Sequence, residues 1–344
     1  MVKQPNIGIV GTGIYLPETK ITAEEIAAQT NGIWAPEAVK EKLGIIEKTI
    51  PGPEDGTQEM GIKASLDALN RTGIDPKSID LILSVGEEWK EYPLTTTGIY
   101  IQDKIGADNA WAIDIQQRCC TTISAMKMAK DMMIADEEIN TVLIAGGYRN
   151  GDFVNYSDPN MSMMFNLGAG GGALILKKNY NKNLLLGSHI MSDGSMARDA
   201  GVQYGGTAEP ITCDNINDAY KSLRLFNPQH MKDRLNEVSM NNWMKCIDKA
   251  FEKSNIDKKE IGYLAVLHFK YSMYLHMLDL LGLTTEQSIY LNKTGHVGQI
   301  DQIISLHMAL EQNKITNGTV IAMIAAGIGY AWAANVIKWG EFNN

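Results

Sequence analysis

Asp114-Ile115-Gln116-Gln117-Arg118-Cys119-Cys120-Thr121-Thr122-Ile123-Ser124-Ala125 runs from the end of one element into the start of another. Residues 110–115 are an apolar run that reads as a buried strand. Residues 121–135 read as a helix, with Ile123, Met126 and Met128 among its apolar positions. Both cysteines therefore fall at a strand-to-helix turn, where free backbone N–H groups and the positive helix end favour a thiolate. Two adjacent thiols are equally compatible with plain core packing, since a free cysteine behaves as a small hydrophobe. The turn alone does not choose between the two.

Working outward, residues 79–85 form a short apolar strand followed by the polar loop 86–93, and 95–105 has helical spacing. Upstream, a capping box at Thr22-Ala23-Glu24-Glu25 opens a helix, and 56–69 is a second amphipathic helix. Gly11-Thr12-Gly13 in the first strand, 7–16, invites a dinucleotide-binding reading. The third glycine is missing, however, and Pro17 stands where the phosphate-binding helix would begin. Downstream, 139–145 is a strand, and Asn166-Leu167-Gly168-Ala169-Gly170-Gly171-Gly172-Ala173 feeds another. Neither a following helix nor a lysine makes that run a phosphate loop, so its glycines imply close backbone packing.

The second half repeats this order: helix 231–253, strand 261–269, helix 271–281, strand 288–291, a turn at 292–298, helix 299–312, and strands 320–326 and 331–339. Strands alternating with helices predict a layered α/β architecture with an internal duplication. Residues 195–230 have the weakest pattern; they read as a lid or substrate loop over a site, or as a plain surface loop.

Composition narrows the function. With 44% apolar and 21% charged residues the chain is an ordinary globular protein, and its net charge of −9 argues against nucleic acid as a partner. Four cysteines without zinc spacing predict neither a disulfide framework nor a metal site. The first residues lack the layout of a signal peptide, and no apolar run approaches a membrane span. The expected location is therefore cytoplasmic.

Residues 114–125, the Asn166–Ala173 run and Gly327-Ile328-Gly329-Tyr330-Ala331-Trp332 resemble, in order and spacing, the motifs of the type III β-ketoacyl synthases. These are condensing enzymes of the thiolase superfamily, and 7–17 resembles their first strand, so the resemblance spans nearly the whole chain. It implies a five-layered αβαβα thiolase-like fold made of two duplicated halves: 1–180 with the nucleophilic cysteine and 181–344 with two active-site histidines. It also implies a homodimer.

By this resemblance the nucleophile, five residues after the strand's Asp, is Cys119, while Arg118 and Cys120 replace small residues. His268 in Leu267-His268-Phe269-Lys270 resembles the family's first basic residue. His296 in Thr294-Gly295-His296-Val297-Gly298 stands where the family has Asn, giving a Cys-His-His set like that of the elongating ketosynthases. In that role both imidazoles donate to the thioester carbonyl of a malonyl unit as CO₂ leaves. The implied oxyanion hole is the backbone N–H of Cys119 and of Ile328. Tyr92-Pro93 matches a loop that enters the partner's acyl pocket, and Trp34 a tryptophan that stacks on the adenine of coenzyme A. Phe165, Gly327 and Gly329 complete the expected substrate-binding set.

The expected activity is formation of an acyl-Cys119 thioester, then decarboxylative Claisen condensation with a malonyl thioester in fatty acid, polyketide or secondary-metabolite synthesis. The acyl donor is acyl-coenzyme A or an acyl carrier protein thioester, with no cofactor or metal. The exchange of Asn for His leaves two other expectations: acyl transfer to an oxygen or nitrogen acceptor without decarboxylation, and a non-catalytic partner subunit.

Overall fold

A computed structural model describes residues 4–342. In chain order its main elements are β1 (Ile7–Tyr15), α1 (Thr57–Thr72), β2 (Leu81–Ser84), α2 (Thr97–Ile105), β3 (Trp111–Asp114), α3 (Thr121–Ala135), β4 (Thr141–Tyr148) and β5 (Gly170–Lys178). The second half holds β6 (Lys182–Ser192), α4 (Pro228–Ser254), β7 (Ile261–Val266), α5 (Tyr271–Leu280), α6 (Asp301–Glu311), β8 (Val320–Gly327) and β9 (Ala331–Glu341).

The nine strands are ordered β7-β8-β9-β6-β1-β5-β4-β2-β3. In the first half, β1, β5 and β4 pair antiparallel in turn, then β4, β2 and β3 run parallel. In the second half, β6, β9 and β8 pair antiparallel, then β8 and β7 run parallel. The predicted strand 288–291 is reduced to one parallel bridge, Leu264 to Ser288, in the place that β3 occupies in the first half. The halves meet through β1 and β6 at the antiparallel pair Gly8–Leu184. Helices α3 and α6 both pack against strands of both halves, α1 covers the first half and α4 the second, which gives the alternating α and β layers expected.

The glycines of β1 and β5 let α1 lie directly on the sheet. A Cβ at Gly13 would fall 2.2 Å from the Ala68 nitrogen, and one at Gly171 would fall 2.1 Å from the Met60 carbonyl oxygen. Helix packing thus explains the Gly11-Thr12-Gly13 spacing that resembled a phosphate loop. The 195–230 segment carries its own small antiparallel pair, Ala200–Val202 with Leu223–Leu225, and the short helix Ile216–Ala219. Its base is tied to the turn after β8, where Asp193 and Tyr330 exchange two backbone hydrogen bonds of 2.8 and 3.1 Å.

Candidate active site

Cys119 lies in a single 3-10 turn, Arg118–Cys120, between β3 and α3. Asp114, at the end of β3, caps the preceding helix α2 rather than facing the thiol: its carboxylate accepts the Thr97 and Gly98 N–H groups at 2.9 and 2.8 Å. The turn is drawn tight by the Thr121 hydroxyl, which donates to the Arg118 carbonyl (2.6 Å) and accepts from the Gln117 N–H (2.7 Å). It forces Arg118 to φ +51°, a left-handed conformation that costs a side-chain-bearing residue about 1–2 kcal/mol. The guanidinium is held in place by Glu87, at 3.4 Å, and by Glu88. Cys119 ends up 9% exposed, and a Cβ on Gly327 would fall 3.0 Å from its backbone nitrogen, so β8 presses against the turn.

The structure brings His296 to Cys119, with Nε2 3.1 Å from the sulfur. His296 sits on a turn that is stitched to the Asn166–Gly168 run. Its N–H donates to the Asn166 carbonyl (2.7 Å), and its carbonyl accepts the Gly168 N–H (2.8 Å). Gly295, at φ +71°, permits this approach, since a Cβ there would lie 2.5 Å from the Asn166 carbonyl oxygen. The sequence reading missed Asp301, the first residue of α6. Fully buried, it accepts Nδ1–H of His296 at 2.5 Å and the N–H groups of His268 and Val297, each at 2.7 Å. Burial alone would pull the His296 imidazole down, but the Asp301 carboxylate and the Cys119 sulfur outweigh it and hold its pKa well above the usual value. The signal in the sequence was an acidic residue at a helix start five residues after His296.

His268 is placed differently from the expectation. Its Nε2 donates to the Gly44 carbonyl (3.0 Å) and its Nδ1 accepts from Asn166 Nδ2 (2.9 Å), while its ring stacks on Tyr290. Burial pushes it down to about 4, so the imidazole is neutral at pH 7. Both ring nitrogens are occupied, and neither donates toward a thioester while those bonds stand. His268 joins the site through its backbone N–H on Asp301 and through Asn166, whose buried Oδ1 has no partner among the described residues.

The remaining expected residues are scattered. Ile328 and Gly329 lie in the turn after β8, and neither the Cys119 nor the Ile328 N–H has a turn or loop acceptor among the described residues. Phe165 is fully buried against the Tyr156 ring, at 5.1 Å, as core packing. Trp34 is half-buried, and Tyr92 is 71% exposed on a loop whose most protruding side chain is the neighbouring Leu94. A cavity of about 700 Å³ adjoins Tyr92, lined also by Glu91, Thr95, Ile99 and Tyr100. Among the described residues no group of side chains has the makings of a metal site, and no helix is long and apolar enough to cross a membrane.

Two family models match the chain. One, 3-oxoacyl-[acyl-carrier-protein] synthase III, matches residues 113–194, and the C-terminal model of the same synthase matches 251–339. Curated proteins called β-ketoacyl-[acyl-carrier-protein] synthase III are similar over almost the full length. The one from Azobacteroides pseudotrichonymphae is 27% identical, covering 96% of this chain and 97% of its own. That from Clostridium tetani is also 27% identical, covering 98% and 100%. Among solved structures, the 3-oxoacyl-[acyl-carrier-protein] synthase III of Aquifex aeolicus superposes with a TM-score of 0.83 at 21% identity, covering 97% of this chain and all of its own. The Pseudomonas aeruginosa synthase III also gives 0.83, at 16% identity, covering 98% and 100%.

Proposed function

Because this chain is a β-ketoacyl-[acyl carrier protein] synthase III-like condensing enzyme, we propose that Cys119 is its nucleophile and His296, held by Asp301, the group that activates it. The observation that carries this reading is the line from Asp301 Oδ2 to His296 Nδ1 (2.5 Å) and from His296 Nε2 to Cys119 Sγ (3.1 Å). An imidazolium beside the sulfur stabilises a thiolate, which attacks an acyl thioester and later leaves when the acyl group moves on. The acyl group is then condensed with a malonyl thioester, for fatty acid or polyketide synthesis. The backbone N–H groups of Cys119 and Ile328 are the donors for the developing oxyanions, joined by the imidazolium N–H of His296 in the acylation step. Acyl-coenzyme A or an acyl carrier protein brings the acyl group, and no metal or further cofactor takes part.

A second reading, acyl transfer to an oxygen or nitrogen acceptor, is favoured by the occupied ring of His268, which leaves His296 as the one imidazole facing the thiol. We also propose that the chain divides at about 180/181 into two related halves, supported by their like strand order. The working unit is a homodimer formed along the edge strand β3 and the 86–96 loop, where Leu94, Ile99, Trp111 and Ile113 are exposed.

The deciding experiment is intact-mass analysis after incubation with acyl-coenzyme A thioesters of graded chain length, beside Cys119→Ala. An adduct absent from Cys119→Ala identifies the nucleophile, and CO₂ release from malonyl thioester that is lost in His296→Ala supports condensation. Full CO₂ release by His296→Ala sinks the assignment of His296. Consumption of an amine or alcohol without CO₂ selects the second reading.

A further inference from the structure

The condensation leaves the site one proton short in every cycle. In the first half-reaction the Cys119 sulfur bonds the acyl carbon, and the C–S bond to the carrier thiol breaks. The departing thiolate takes the proton of the His296 imidazolium. In the second, the C–C bond to the malonyl carboxylate breaks and CO₂ leaves, its electron pair remaining as an enolate. That pair forms the new C–C bond while the acyl–Cys119 bond breaks, and the sulfur departs as thiolate. The cycle ends with a Cys119 thiolate beside a neutral His296, so one proton has to come in. Both side chains are buried, Cys119 at 9% exposure and the His296 side chain at 8%.

Glu87, which the expected machinery does not use, is placed for this. It follows β2, and its side chain is 6% exposed. Oε2 accepts from Asn150 Nδ2 at 2.6 Å and lies 3.4 Å from the guanidinium of Arg118, the residue before the nucleophile. Among the described residues the buried Oδ1 of Asn150, whose Nδ2 donates to Glu87, has no hydrogen-bond partner. The segment carrying Glu87 is fastened to the segment carrying His296. Gln299 Nε2 donates to the Val85 carbonyl (2.6 Å) and Gly298 packs on the ring of Tyr148, itself 6.1 Å from the His296 ring. The charged and titratable groups whose fields reach Glu87 are Arg118, Glu88, His296 and Tyr148, of which Arg118 is in direct contact. Burial pushes its carboxyl above the ordinary range, against the pull of Arg118 and Asn150, which favours a carboxyl that can carry a proton. On the outer side, Arg118 and Glu88 are 43% and 62% exposed and open toward solvent.

Resting on the condensing reading above, we propose that Glu87 is the proton entry of the site, passing one proton from solvent to His296 in each cycle. It touches no reacting atom and acts through His296, so it is a positioning residue for the proton. Acyl transfer to an O–H or N–H acceptor, by contrast, balances without an incoming proton.

The test is pre-steady-state CO₂ release from malonyl-coenzyme A by the acyl-loaded enzyme. Glu87→Gln is expected to complete a first turnover near the wild-type rate and then to run about 100-fold slower. Glu87→Asp, which keeps an ionisable carboxyl, is expected to sustain turnover at an intermediate rate. Added formate is expected to restore multiple turnover to Glu87→Ala, a rescue that a merely structural role would not show. Wild-type CO₂ release with an equal steady state in Glu87→Gln overturns the assignment of Glu87 alone. Loss of the first turnover in both Glu87→Gln and Glu87→Asp also overturns it, since Glu87 then only fixes Arg118. Acyl transfer by the wild type without CO₂ removes the proton deficit and overturns the condensing reading with it.

Discussion

Replacing Asp301 with Asn preserves its shape and one acceptor oxygen but removes the charge that holds His296 protonated. Alkylation of Cys119 by iodoacetamide at pH 7 is expected to slow by about tenfold or more, since a lost ion pair shifts its partner by one to three pKa units. His268 gives a different expectation. Its pKa of about 4 in the folded state lies below the unfolded value near 6.5, so the unfolded chain binds more protons and stability falls as pH drops through that window. Urea titrations at pH 7 and pH 5 should show a loss of about 2 kcal/mol from this group, which is absent in His268→Gln. At this scale the sequence identified the thiol and the imidazole that faces it. Asp301 escaped because an acid at a helix start is common and nothing local shows that it meets the backbone of His268, 33 residues away. His268 was legible as a buried histidine at a strand end. Which way its ring turns depends on Gly44 and Asn166, 224 and 102 residues away, and no spacing encodes that.

The turn 294–298 shows how an element holds a side chain. Gly295→Ala would place a methyl group 2.5 Å from the Asn166 carbonyl at a positive φ. It should cost about 1–3 kcal/mol in chemical denaturation and lower the rate of Cys119 acylation through displacement of His296. An unaltered acylation rate would show that the turn adapts without moving the imidazole. Helices and strands were readable from periodicity, and α3 has the bounds expected, because its apolar residues meet strands from both halves. The strand expected at 288–291 is the exception: beside β7 those four residues make only one bridge. Lys48 was invisible for a related reason: it sits in the three-residue strand Glu47–Thr49, fully buried. Its ammonium donates to the Leu167 carbonyl (2.6 Å) next to the bridge between Leu167 and His296.

For the whole molecule, the exposed edge strand β3 leaves Trp111 and Ile113 uncovered, a row of unpaired backbone groups that a second copy would satisfy. Trp111→Glu combined with Ile113→Lys is expected to convert a dimer into a monomer in light scattering coupled to gel filtration. A wild type that already elutes as a monomer would refute the dimer. The proposed halves also divide the proposed chemistry between them: Cys119 lies in the first and His296, 177 residues later, in the second. This has a consequence in time. At ordinary rates of synthesis Cys119 is made roughly nine to thirty-five seconds before His296. During that interval it has neither His296 nor the turn that carries Ile328 beside it. On the proposed chemistry, a chain that ends before His296 captures no acyl group from a thioester, and reactivity is switched on by making the second half.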